Sequence, residues 1–152
     1  MLWKTIEREL LRAQDIETIV LKSHLLIETQ LNLALESHFG SDITKARLSF
    51  FQKLEIVACI WPSLKNDKSS IGPRSLYEDW RDFNKLRNKI AHQLTPKDLR
   101  KSLSEWTTKA LGYRLKTINR PQVLKRNIIK ASVFEVAYVS GFTRATNMIS
   151  NI

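Results

Sequence analysis

The chain has 152 residues, of which 43% are hydrophobic, enough for one ordinary domain to close a core without metals or disulfides. Its single cysteine, Cys59, excludes an intramolecular disulfide and a cysteine cluster for zinc, and no uncharged apolar run is long enough to span a bilayer. The net charge of +10 is uneven: residues 1–94 hold 14 Lys+Arg and 12 Asp+Glu, whereas 95–152 hold 11 and 3, so the last third favours polyanionic partners.

Met1-Leu2-Trp3-Lys4 leads into charged residues and not into a signal-peptide apolar core, so a soluble, cytoplasmic protein is expected, with no membrane partner. With four glycines and four prolines, the chain has few breaks and predicts long helices joined by short turns. The first fifteen residues read as helical, either as a separate element or as the start of the next one. Ile16, Ile19, Val20, Ile27, Leu31 and Ala34 keep one helical face apolar, and Gly40 is the expected end of that helix. Ser41 or Asp42 is expected to cap a second long helix through Leu48, Phe51, Leu54, Ile56 and Ile60, stopped by Pro62. Cys59, in the run Leu54 to Ile60, is expected to be a buried thiol.

Residues 62–74 have the composition of a loop. Ser75 predicts the cap of a third substantial helix, with Leu76, Trp80, Phe83, Arg87, Ile90 and Leu94 at alternating steps of four and three. Thr95 and Pro96 suit a new cap and first turn, with Asp98 complementing the dipole, and this helix is expected to finish near Gly112. Pro121 opens the last helix. About five helices of this kind can bury their stripes only against one another, which predicts an all-α bundle forming one domain over residues 1–152.

Chemistry concentrates in Arg87-Asn88-Lys89-Ile90-Ala91-His92. Arg87 occupies a slot in the apolar stripe, a local rule broken as it is at functional sites or at paired charges. Its guanidinium stays protonated and offers a planar fork of donors to phosphate or carboxylate. His92 lies about 140° further round an ideal helix, so the two side chains need not touch and can border a groove completed by another helix or a second subunit. Asn88 shares a face with His92 at a four-residue step. An imidazole and a guanidinium suffice to cleave a phosphodiester without a metal, with His92 moving the proton and Arg87 steadying the transition-state charge. RNA suits such a site because its own 2′-hydroxyl is the nucleophile. No glycine-rich phosphate loop, metal-site spacing or nucleophilic triad competes, and no cofactor or metal is expected.

Leu86-Arg87-Asn88-Lys89-Ile90-Ala91-His92, on the third substantial helix of an all-helical chain, resembles the signature of the HEPN superfamily, an Arg followed by a polar residue and a His four to six positions on. The resemblance implies an up-and-down, HEPN-like bundle acting as a homodimeric, metal-independent endoribonuclease, its two Arg/His motifs facing each other across the dimer cleft. It further implies cleavage to 2′,3′-cyclic phosphate ends, a toxin or defence role, and a nucleotidyltransferase-like antitoxin as partner. Arg87, Asn88 and His92 match the catalytic positions; the Tyr common two places after the His is Leu94 here. A non-catalytic module binding RNA, a nucleotide or a partner protein is the alternative.

Other residues have supporting readings. Glu28 or Glu36 can ion-pair with Arg87, and Glu28 is the expected supporting acid. Arg114, Lys116, Arg120, Lys125, Arg126 and Lys130 are expected to bind RNA, with Tyr113 either stacking on a base or capping the core. His24 and His38 are expected to be structural, and Trp3, Trp61, Trp80 and Trp106 to anchor the core or an interface.

Overall fold

The computed structural model describes residues 2–13, 15–68, 72–92, 96–112, 120–132 and 136, and among them all regular structure is helical. Helix α1, Leu2–Arg12, is a separate element. Asp15 then caps α2, Ile16–Phe39, its carboxylate accepting from the Thr18 backbone N–H at 2.6 Å and the Thr18 hydroxyl at 2.8 Å. At Gly40 the backbone adopts φ 82°, and its N–H closes α2 on the Glu36 carbonyl at 2.8 Å. The apolar stripe and the glycine stop were both legible in the sequence.

The second long helix is not continuous. Ser41–Ala46 forms a 3₁₀ helix, Arg47 takes a left-handed conformation at φ 48°, and α3, Phe50–Ile60, begins afresh at Ser49. The physical reason is a capping box: Gln52 N–H donates to Ser49 Oγ at 3.3 Å, while the Ser49 N–H donates to Gln52 Oε1 at 2.9 Å. Contacts then advance in the same sense along α2 and α3, with His24 against Phe50 and, one turn on, Glu28 against Lys53. A tight helical hairpin at Gly40 would have paired the two helices in opposite senses.

The segment read as a loop holds one helical turn, α4, Ser63–Asn66, which buries Leu64. Helix α5, Leu76–Ala91, starts at Ser75 as expected, with a second capping box through Glu78, and ends at His92, short of Leu94. Helix α6, Pro96–Leu111, stops at Gly112, φ 71°, as its composition predicts. Leu94 and Thr95 lie outside the described residues. Helix α7 spans 121–132 and opens at Pro121. The expectation of about five helices is therefore too low: the described residues contain six of at least eleven residues, besides α4 and the 3₁₀ helix.

One continuous core joins these elements through Ile27 and Leu31 of α2, Leu54 of α3, Trp80 and Phe83 of α5, Leu103 and Trp106 of α6, and Leu124 and Ile128 of α7. Phe83 and Trp106 meet with ring centroids 4.4 Å apart, and the Trp106 indole N–H donates to the Asp79 carbonyl at 3.0 Å, which fixes α6 against α5. Trp80 and Trp106 are core anchors, and Trp61 packs partly buried at the end of α3. The side chain of Trp3 lies outside the described residues. Cys59 is exposed, contrary to the expected buried thiol. The apolar run around it is longer than one helical face can bury, and Phe50, Leu54, Val57 and Ala58 occupy that face. No described helix is long and apolar enough to cross a membrane.

Candidate functional site

The rear half of α5 carries the site. Leu76, Trp80 and Phe83 pin the helix to the core, and this packing sets the directions in which Asn84, Arg87, Asn88 and His92 leave the axis.

Arg87 is half-buried at the margin of the apolar face, and its Nη1 donates to Asn88 Oδ1 at 3.2 Å. Neither acid expected beside it is bound to it. Glu28 is taken by Lys53 at 2.6 Å in a partly buried ion pair, because α3 meets α2 at that level, and Glu36 forms no ion pair with Arg87 among the described residues. Glu28 as the supporting acid for Arg87 is thus replaced by Glu28 as the partner of Lys53. Among the described residues the guanidinium makes no other hydrogen bond.

His92 is exposed at the C-cap of α5, where its backbone N–H donates to the Lys89 carbonyl at 3.1 Å. Among the described residues no hydrogen bond joins its ring to Arg87 or Asn88. The structure therefore joins Arg87 to Asn88, while His92, about 140° from Arg87 on an ideal helix, is bonded to neither.

His24 has more specific surroundings than a structural role alone requires. It is 6% exposed, its ring lies 4.4 Å from that of Phe50, and its Nε2 sits 2.9 Å from Asn84 Oδ1. Because Oδ1 can only accept, Nε2 carries a proton. Burial holds the His24 pKa below the ordinary value, the bond to Asn84 works the other way, and the Arg87 charge adds to the lowering. His24 thus reaches α5 one turn ahead of Arg87. The sequence signal for this was the pairing of a buried-face His on α2 with an Asn at the edge of the α5 stripe.

A second charged cluster escaped the sequence reading. Arg74, just ahead of α5, reaches Asp82 at 2.5 Å and the fully buried Asp79 at 3.3 Å, with Lys85 and Arg81 on the outer side of Asp82. Burial alone would raise the Asp82 pKa, but the Arg74 hydrogen bond and charge, aided by Lys85 and Arg81, bring it below its ordinary value. The signal was present: Asp79 stands beside Trp80 of the apolar stripe, with Arg74 five residues before it.

Of the six basic residues read as an RNA surface, Arg120, Arg126 and Lys130 are exposed on or beside α7. Lys125 instead turns inward, its ammonium donating to the Ala13 carbonyl between α1 and α2. It ties α7 to the core, a role that corrects its reading as a free phosphate ligand. Arg114, Lys116 and Tyr113 lie outside the described residues. No group of three or more His, Cys, Asp or Glu among the described residues could hold a metal ion. Comparison with models of protein families, with curated proteins and with solved structures finds no match to this chain.

Proposed function

We propose that the chain is an endoribonuclease of the HEPN type that acts as a homodimer and cleaves RNA to 2′,3′-cyclic phosphate ends in a toxin or defence role, with a nucleotidyltransferase-like antitoxin as its expected partner. The observation that carries this reading is the half-buried Arg87 guanidinium, held by Asn88 and paired with no carboxylate among the described residues. A buried-edge cation without a counter-ion favours an anionic ligand, and its planar fork fits a phosphodiester. In this reading Arg87 binds the scissile phosphate and offsets the charge that develops on it, Asn88 orients Arg87, and His92 takes the proton from the 2′-hydroxyl or returns one to the leaving 5′-oxygen. The 2′-oxygen attacks phosphorus, the P–O5′ bond breaks, and the products are a cyclic phosphate and a free 5′-hydroxyl.

Exposed Leu21 and Leu25, one turn apart on α2, and exposed Phe51 on α3 support self-association, since such side chains are better covered than left in water. The divergence of Arg87 and His92 within one protomer favours a second reading, a module that binds RNA through Arg87 without cutting it. One experiment separates the two. Purified protein with RNA in excess EDTA is expected to yield 2′,3′-cyclic phosphate ends, and His92→Ala to abolish them while RNA binding persists. Binding without scission by the wild type selects the second reading.

A further inference from the structure

Between α5 and α6 runs an open groove of about 240 Å³ that none of the roles above uses. Lys85 and Lys89 line it from α5, Lys109 and Ser102 from α6, and the Arg74–Asp82 pair also faces it. Glu105 also faces it, so four cations stand against two carboxylates, one of which, Asp82, already accepts from Arg74. The groove is net positive and carries a hydroxyl donor. Among the described residues neither Lys89 nor Lys109 is in an ion pair.

The register of α5 connects this groove to the site. Positions 85, 89 and 92 follow steps of four and three, so on an ideal helix Lys85, Lys89 and His92 fall within about 60° of one another, on the side away from Arg87. Lys85 and Lys89 are separated by about 6 Å along the axis, a spacing comparable to that of consecutive phosphates in an extended strand. We infer that the groove between α5 and α6 binds the phosphate backbone of single-stranded RNA and leads that strand onto His92. The inference rests on the proposed function for its ligand class. It moves the principal phosphate contacts from the basic residues on and beside α7 to Lys85, Lys89 and Lys109.

The test uses a 2′-O-methyl RNA decamer, which cannot be cut at its blocked hydroxyls, and follows binding to the full chain by fluorescence anisotropy across a salt series. Lys89→Ala with Lys109→Ala is expected to weaken binding about tenfold and to lower the slope of log Kd against log salt by about 1.4, the value for two phosphate contacts on a single strand. Lys89→Arg with Lys109→Arg is expected to restore both, which excludes a folding defect as the cause. Arg126→Ala with Lys130→Ala is expected to change binding less than twofold, roughly the effect of distant charge alone. Unchanged binding by the Lys89/Lys109 alanine variant, no binding by the wild type, or equal displacement by polyglutamate would each overturn the inference. Cleavage of unmodified RNA is scored in parallel. A wild type that cuts RNA while the alanine variant binds normally overturns the groove alone, whereas groove-dependent binding without cutting upholds the groove and overturns the nuclease.

Discussion

His24 Nε2 lies 2.9 Å from Asn84 Oδ1, a side-chain hydrogen bond that joins α2 to α5 one turn ahead of Arg87. Asn84 cannot follow its helix independently of α2, and Arg87 and Asn88, three and four residues on, inherit that restraint. Beside this bond Phe50 covers the imidazole and Lys53 holds Glu28, so three helices converge where the motif begins. A guanidinium expected to receive a phosphate is thereby mounted one turn beyond a junction of three helices.

Burial of the same imidazole makes folding sensitive to mild acid. Burial keeps the His24 pKa below 6.5, and Arg87 from α5 and Lys53 from α3 add to the lowering while Asn84 and Glu28 oppose it. The native state therefore binds fewer protons than the unfolded chain, so the stability associated with neutral His24 is complete above its unfolded pKa and is lost as pH falls below it. The urea midpoint is expected to fall between pH 7.5 and pH 5.5, and His24→Gln, which still donates to Asn84, is expected to flatten that fall. An unchanged slope in the variant assigns the acid sensitivity elsewhere.

Arg74 is the cation whose removal should cost most. Its guanidinium reaches the buried Asp79 and the partly buried Asp82 together, and without it two carboxylates lose a shared partner in poorly solvated positions. Arg74→Ala is expected to destabilise the fold by about 3 kcal/mol, the low end for breaking a buried pair. Lys85→Ala, at the 63% exposed side of the same cluster, is expected to cost less than about 1 kcal/mol. Chemical denaturation of the two variants compares them directly.

What the sequence disclosed follows from periodicity and punctuation. Ile19, Ile27 and Leu31 repeat at helical spacing, Gly40 and Gly112 stop their helices, and Ser75 and Pro121 start theirs, all signals carried by a few neighbouring residues. The box at Ser49 and Gln52 is equally local, but the apolar residues on both sides of it masked the break. The fate of Glu28 was illegible because it depends on Lys53, 25 positions away, and so on where α3 meets α2. Cys59 and Lys125 failed for a related reason: the direction a helix faces is decided by its neighbours, and composition does not carry it.

Gly72 is fixed by close approach. A Cβ there would stand 1.8 Å from the Ala110 carbonyl oxygen, a backbone atom of α6 that cannot rotate away. Gly72→Ala is therefore expected to shift the entry to α5 against the end of α6 and to cost at least about 2 kcal/mol, in the range of overpacked interiors. Gly40→Ala has open space around its Cβ and pays only for a positive φ, about 1 kcal/mol. Thermal unfolding should rank Gly72→Ala well below Gly40→Ala, and the reverse order would contradict the packing described.

Arg87 and His92 leave α5 in different directions, so in the proposed nuclease neither needs the other from its own chain. If the cleft is built between subunits, a protein with Arg87→Ala and one with His92→Ala are each inactive, but a mixed dimer holds one intact Arg87 and one intact His92. Statistical exchange makes half of the dimers mixed, each with one of two sites complete, so mixing is expected to return about a quarter of wild-type activity in a twofold-symmetric dimer. Refolding the two variants together and measuring RNA cleavage tests this. Activity that stays at the level of the separate variants would place Arg87 and His92 in the same half of the cleft, and would require α5 to bend or unwind at Ala91 for the two groups to meet.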